Sequence, residues 1–311
     1  MQLLRHTPDF DVESATRIAD GLFGLRTTAR VLPSERDQNF LLTDEAGGKF
    51  VLKVANALES RQLLEAQNAA LEHLRERVSF CPRVVANLKG ELISAEADHF
   101  VRLVTYLPGT PLAEATPHSP QLLRDFGRKL AVLDRAVADF DHPAVHRDFH
   151  WDLVNGNRVI DQHTKLIESA RLRELVVECR LDLTTDLRRS VIHGDPNDYN
   201  VLVDRDRVVG FIDFGDIVYS WTVGNLAVAL AYIVLGKDDP PAAAAHVIDA
   251  YSQEFPLLLE EREVLWPLVR LRLAMSVCLA AHQQSLRPEN EYLQISQRAI
   301  AETLPRLLEH A

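Results

Sequence analysis

The 311-residue chain predicts an α+β protein in two parts, an N-terminal antiparallel sheet with a helix over residues 1–106 and a mostly helical part over 107–311. Three observations predict this division. The first hundred residues alternate apolar and polar side chains as half-buried strands do. Leu107, Pro108, Gly109 and Thr110 then interrupt the pattern. Beyond them apolar residues recur at spacings of three and four, the signature of helices with one buried face.

Taken in order, strands are expected over 25–32, 39–43 and 49–54, the last two joined through a turn containing Gly47 and Gly48. A helix follows over 60–78, where Leu63, Leu64, Leu71, Leu74 and Val78 repeat on one face. Short strands are expected over 84–86, 91–94 and 100–106. In the second part, Ser119 can cap a helix whose first residue is Pro120, with Leu122, Phe126, Leu130, Leu133, Val137 and Phe140 along one side. Further helices are expected over 172–187, 223–235, 242–255, 260–284 and 292–310, and two short strands over 201–203 and 208–212.

The balance of 34 basic against 45 acidic residues, a formal charge of −11, would repel a polyanionic backbone, so no nucleic-acid partner is expected. A small or cationic partner suits that charge better. Cys81, Cys179 and Cys278 lie far apart, without the paired spacing of a metal or redox centre, and are expected to be buried thiols. No basic stretch precedes an apolar run at the start of the sequence. The apolar run 223–235 contains Asn225 and is too short to span a bilayer, so no membrane partner and a cytoplasmic location are expected.

The densest chemical signal is His193-Gly194-Asp195-Pro196-Asn197-Asp198-Tyr199-Asn200, followed one hairpin later by Asp213-Phe214-Gly215-Asp216. Asp195 and Asn200 have the spacing of the D-x-x-x-x-N kinase catalytic loop, and Asp213 opens a D-F-G. Phosphoryl transfer from a nucleotide calls for such a set: a carboxylate to receive or orient the acceptor's hydroxyl proton, and oxygen ligands for Mg²⁺ beside the phosphates. Each piece alone could be an ordinary turn; the ordered combination is what carries weight. His146-Arg147-Asp148 also spells a catalytic-loop motif, but Leu153 stands where its metal ligand would have to be. That segment is assigned to packing or to the acceptor side of the site.

Lys53 interrupts the apolar run 50–54, where a cation can neutralise nucleotide phosphates if a helix glutamate holds it, with Glu65 as the candidate partner and Glu59 the second choice. An edge lysine reaching out to water has the same pattern. No G-x-G-x-x-G precedes it. The turn Ser34-Glu35-Arg36-Asp37-Gln38-Asn39 occupies that place, and Gln38 and Asn39 are candidates to reach a phosphate, although a solvated turn has the same composition.

Together, Lys53, Glu65, Val104-Thr105-Tyr106-Leu107-Pro108-Gly109, His193-Gly194-Asp195 with Asn200, and Asp213-Phe214-Gly215-Asp216 resemble the aminoglycoside phosphotransferase and choline kinase family, and within it the hydroxylysine kinases. Arg287-Pro288-Glu289-Asn290 belongs to the same resemblance. It implies a protein-kinase-like two-lobed fold, with Asp195 as catalytic base, Asn200 and Asp213 as Mg²⁺ ligands, Lys53 as phosphate ligand with Glu65 beside it, and the backbone near Val104 and Tyr106 holding the purine. The implied reaction moves the γ-phosphoryl group of ATP or GTP to a hydroxyl of an amine-bearing small molecule, a hydroxylysine-like amino acid or amino alcohol. The rival expectations are an aminoglycoside phosphotransferase and a nucleotide-binding pseudokinase without turnover. No A-P-E or long polar loop follows Asp216, which speaks against a protein acceptor. For the acceptor's ammonium the candidates are Asp216, Asp152 and Glu289, with Tyr219, Trp151 and Trp221 as cation–π partners; Arg147 is the candidate for a carboxylate.

Overall fold

A computed structural model describes residues 7–34, 37–183, 185–286 and 296–309. Two compact units are present, Met1–Pro108 with His142–Ala144, and Gly109–Asp141 with Val145–Ala311.

The first unit is an antiparallel sheet with a helix on each face. Its elements are α1 (Val12–Phe23), β1 (Thr27–Leu32), β2 (Gln38–Asp44), β3 (Lys49–Val54), α2 (Arg61–Leu74), β4 (Val84–Val85), β5 (Ser94–Glu96) and β6 (His99–Thr105). The strands lie in the order β1-β2-β3-β6-β4, with β5 also on β6. Side chains alternate across a strand, and the even positions of β2 and β3 with the odd ones of β6 bury Phe40, Leu42, Leu52, Val54, Val101 and Leu103 against Ala15, Ile18 and Ala19 of α1. The sequence pattern led to one helix in this region, so α1 is an addition. Its signals are short: Asp11 caps it by accepting from the Ser14 amide, and Gly24 closes it at φ +67°. The opposite face carries α2. There the register sets Asn39 opposite Lys53 and Lys53 opposite Arg102, so three polar side chains stand abreast on β2, β3 and β6.

The second unit begins with β7 (Thr110–Pro111) and α3 (Pro120–Val137), where Ser119 accepts from the Leu122 amide as expected of the cap. It continues through α4 (Gly156–His163), α5 (Ala170–Glu178), β8 (Arg189–Ile192), β9 (Val201–Asp204), β10 (Arg207–Phe211), β11 (Val218–Trp221), α6 (Thr222–Ile233), α7 (Pro240–Glu254), α8 (Leu259–Leu286) and α9 (Gln297–Glu309). The helix expected over 172–187 stops at Glu178, and the next element, β8, begins only at Arg189, where it pairs with β11. Residues 292–295, the start expected for the last helix, lie outside the described residues.

Helices α6 and α8 form the centre. α6 is buried nearly all round, from Thr222 to Ala231 without interruption. α8 is long and apolar enough to meet the length and composition of a membrane span, yet 72% of its apolar window is buried inside the protein, which makes it a core helix. All three cysteines are free and buried.

Candidate active site

The loop between β8 and β9 carries Asp195 and is fixed from two sides. Gly194 adopts φ +85°, and a Cβ there would sit 2.3 Å from the Asp216 carbonyl oxygen. Only glycine satisfies both conditions. The His193 ring donates from Nε2 to the Ile212 carbonyl at 3.0 Å, because a carbonyl can only accept. Its Nδ1 is therefore the acceptor for the Asp195 amide at 3.2 Å. The Ile212 amide in turn donates to the Asn200 carbonyl at 2.9 Å, which pins the end of the Asp195 loop to the residue before Asp213. Asp213 sits in the left-handed region at φ +62°, accepts the Gly215 amide at 3.3 Å, and is exposed.

Both oxygens of the Asp195 carboxylate are engaged. Oδ2 accepts from Asn197 Nδ2 at 2.8 Å and from Asn200 Nδ2 at 3.0 Å. Oδ1 accepts from the Arg272 guanidinium at 2.8 Å. The side chain keeps 18% of its surface open. Burial pushes its carboxyl up to about 7, against the Arg272 cation, and the neighbouring Asp216 and Asp213 charges add to the rise.

Asn200 turns its amide nitrogen to Asp195, so its carboxamide oxygen is the atom a hard cation would take, and Asp213 adds a carboxylate. Two oxygen ligands suit Mg²⁺, which keeps waters and phosphate oxygens for the rest of its octahedron. Among the described residues no group of three or more His, Cys, Asp and Glu side chains converges on one metal position, so an all-protein cage is not the pattern.

A model of APH, the phosphotransferase enzyme family, matches residues 28–264. The chain belongs to this family. It is 32% identical to hydroxylysine kinase of Mus musculus over 93% of this chain and 87% of the relative, and 28% identical to homoserine kinase of Parvibaculum lavamentivorans over 83% and 80%. Among solved structures it is similar to an amicoumacin kinase in complex with AMP-PNP, Ca²⁺ and Ami, with a TM-score of 0.72, 15% identity, and coverage of 96% of this chain and 94% of that one. The APH chain thus has the protein-kinase-like fold that the sequence predicts, and it is a small-molecule phosphotransferase with a hydroxyl group as acceptor.

Within this APH kinase several expected site residues have other partners. Glu65 was expected to hold Lys53; it pairs instead with Arg61 at 3.0 Å, one turn back, and 46% of its side chain is exposed. The reason is its helix face: Gln67 and Asn68 are the polar residues of α2 turned to the sheet, and they hold the Arg102 guanidinium at 2.6 and 2.9 Å. Gln38 is not turned toward a ligand either. Its amide donates to and accepts from the Phe10 backbone at 2.8 Å each way, which ties the N-terminal segment to β2. Asn39, beside Lys53, has a buried Oδ1 with no hydrogen-bond partner among the described residues. Val104 is buried between Val51 and Val84 in the ladder, and the Tyr106 amide donates to the Lys49 carbonyl at 3.2 Å.

The acceptor-side candidates divide in the same way. The Trp151 ring already has a cation, the Arg272 guanidinium at 4.4 Å. Asp152 is buried, accepts from Ser220 Oγ at 2.5 Å and caps the turn after it through the Val154 amide. Burial raises its pKa. Arg147 donates to the Gly215 and Ile217 carbonyls at 3.0 and 3.2 Å, so the His146-Arg147-Asp148 segment braces the loop after Asp213. Asp148 pairs with Arg158 on α4, and both side chains are largely exposed. Asp216 is buried and acts on Asp195 by charge. Tyr219 is partly exposed, its ring 4.5 Å from His146. Glu289 and the 287–290 motif lie outside the described residues.

Two participants had no motif to announce them. Arg272 lies in the apolar middle of α8, two residues after Arg270, and nothing local distinguishes it from that neighbour. Asn225 of α6 accepts the Gly194 amide at 3.1 Å and donates to Asp134 of α3 at 2.5 Å, and Asp134 also accepts from Tyr251 of α7 at 2.6 Å.

Proposed function

We propose that this chain transfers the γ-phosphoryl group of ATP or GTP, with Mg²⁺, to the side-chain hydroxyl of an amine-bearing small molecule, a hydroxylysine-like amino acid or an amino alcohol. The observation that carries this reading is the Asp195 carboxylate bonded to Asn200 in a loop whose end is pinned beside Asp213. Asp195 is the base that receives the acceptor's proton. Asn200 and Asp213 hold Mg²⁺, which when bound offsets the charge on the phosphates. Lys53, with Asn39 abreast of it, is the phosphate ligand in the first unit, and the backbone around Tyr106 takes the purine. Asp216 is the carboxylate kept for the acceptor's ammonium. A cytoplasmic location belongs to the same reading.

Catalysis of this kind is positioning and charge neutralisation, with no covalent intermediate on the protein. The hydroxylysine and homoserine kinase relatives support an amino-acid acceptor over an aminoglycoside. The test is a coupled assay with ATP and with GTP against 5-hydroxylysine, homoserine, ethanolamine, choline and kanamycin. Turnover of the first two is expected; turnover confined to kanamycin would reassign the acceptor, and none with any acceptor in the presence of bound nucleotide would favour a pseudokinase.

A further inference from the structure

The base is held by a residue that no catalytic-loop pattern contains. Arg272 projects from the middle of α8 with 2% of its side chain exposed. Its guanidinium stacks on the Trp151 ring, donates to the Trp151 carbonyl at 3.1 Å and to Asp195 Oδ1 at 2.8 Å, and keeps a buried Nε without a partner among the described residues. An enclosed ion pair of this kind is a poor device for stability, since apolar residues of similar volume commonly do as well or better. A guanidinium kept there, whose one directly bonded carboxylate among the described residues is Asp195, therefore calls for another reason.

The carboxylate itself supplies it. Each carboxylate oxygen offers about two acceptor positions. Oδ2 fills both with the Asn197 and Asn200 amides, and Oδ1 fills one with Arg272. We infer that Arg272 is a positioning residue for phosphoryl transfer, which fixes the rotation of the Asp195 carboxylate so that Oδ1 is the oxygen that takes the acceptor's proton. In the step this describes, the acceptor O–H bond breaks and its proton passes to Oδ1. The freed electron pair forms the bond to the γ-phosphorus, and the bond from the γ-phosphorus to the β,γ-bridging oxygen breaks to release the nucleoside diphosphate. The inference rests on the proposed role of Asp195 as base.

The experiment is a double-mutant cycle with Arg272→Gln, Arg272→Lys and Asp195→Asn, read as kcat and KM for nucleotide and acceptor, with nucleotide binding by calorimetry as the check of folding. Arg272→Gln is expected to lower kcat by about 10²-fold, the scale of a misplaced reacting group, and to leave both KM values within about threefold. Arg272→Lys is expected to recover part of that loss, because it returns the charge and one donor without the planar fork. Added to Asp195→Asn, Arg272→Gln is expected to cost nothing further, since Arg272 acts through that carboxylate. Losses that multiply in the double variant, or full kcat in Arg272→Gln, would overturn the inference. Should Arg272→Gln fail to bind nucleotide, Arg272→Lys decides alone: a kcat lowered at least about tenfold with KM unchanged supports it, and wild-type kcat overturns it. High activity in Asp195→Asn would instead remove the base assignment, an outcome separable from all of these.

Discussion

The Asn225 side-chain oxygen takes the backbone N–H of Gly194 at 3.1 Å, at a point where neither residue meets solvent. Through this bond α6 holds the start of the Asp195 loop, and through its amide nitrogen Asn225 is itself held by Asp134. Asn225→Ala leaves a buried amide and a buried carboxylate each short of a partner, at a cost of about 1–3 kcal/mol per group. A lower urea midpoint is expected, together with a kcat that falls more than KM changes. A variant with wild-type stability would show that water or a shifted side chain replaces the bond.

Asp134 adds a pH dependence whose sign follows from burial. Its carboxyl is pushed up to about 7, chiefly by removal from water, while the Tyr251 and Asn225 donors pull the other way. The unfolded chain releases this proton near the ordinary carboxylate value of 3.8. The folded chain thus binds the proton more tightly, and the stability it gains is complete below about pH 4 and is lost as pH rises toward about 7. Unfolding free energies of wild type and Asp134→Asn, subtracted at each pH, should show that decline in the difference. A flat difference between pH 4 and 7 would mean that Asp134 titrates alike in both states.

What the sequence disclosed and what it hid differ by the length scale of the interactions. His193 to Asn200 and Asp213 to Asp216 were legible because their contacts span a single hairpin, so spacing encodes geometry. The strands of the first unit were legible from alternation, and α3 from Ser119 and Pro120. α1 was missed since its packing face is short, Ala15, Ile18 and Ala19, and its caps are single residues. Glu65 misled because a glutamate on the correct helix does not disclose its angle around that helix, and the inward polar positions belong to Gln67 and Asn68. Arg272 lies 77 positions from the carboxylate it binds, and Asn225 lies 91 from Asp134. No local pattern reports on pairs so far apart in the chain.

Gly194, next to Asp195, has a strict steric requirement. Its φ of +85° costs a side-chain-bearing residue about 1–3 kcal/mol, and the added Cβ meets the Asp216 carbonyl at 2.3 Å, backbone that cannot swing aside. Gly194→Ala must therefore displace either the Asp195 segment or the chain after Asp213. Its kcat is expected to drop by about 10²-fold or more, whereas Gly236→Ala, also at positive φ but with nothing near its Cβ, should keep wild-type kcat. Equal losses in the two variants would trace the effect to backbone strain alone and not to the close approach.

Lys53 and the partner that its sequence context suggested should differ sharply on substitution. Glu65 and Arg61 form an exposed pair one helical turn apart, an arrangement worth about 0.2–0.5 kcal/mol. Glu65→Ala should accordingly leave the nucleotide KM and kcat within about twofold, because a solvated carboxylate facing Arg61 has little hold on a bound phosphate. Lys53, abreast of Asn39 and Arg102 on the α2 face of the sheet, is expected to behave otherwise. Lys53→Met removes the proposed phosphate ligand and should raise the nucleotide KM about tenfold or more, the loss of a charge-assisted hydrogen bond of about 1.5–3 kcal/mol. Parallel kinetics on the two variants decide the matter: a loss in Glu65→Ala as large as that in Lys53→Met would mean that α2 turns during catalysis to bring the glutamate to the lysine.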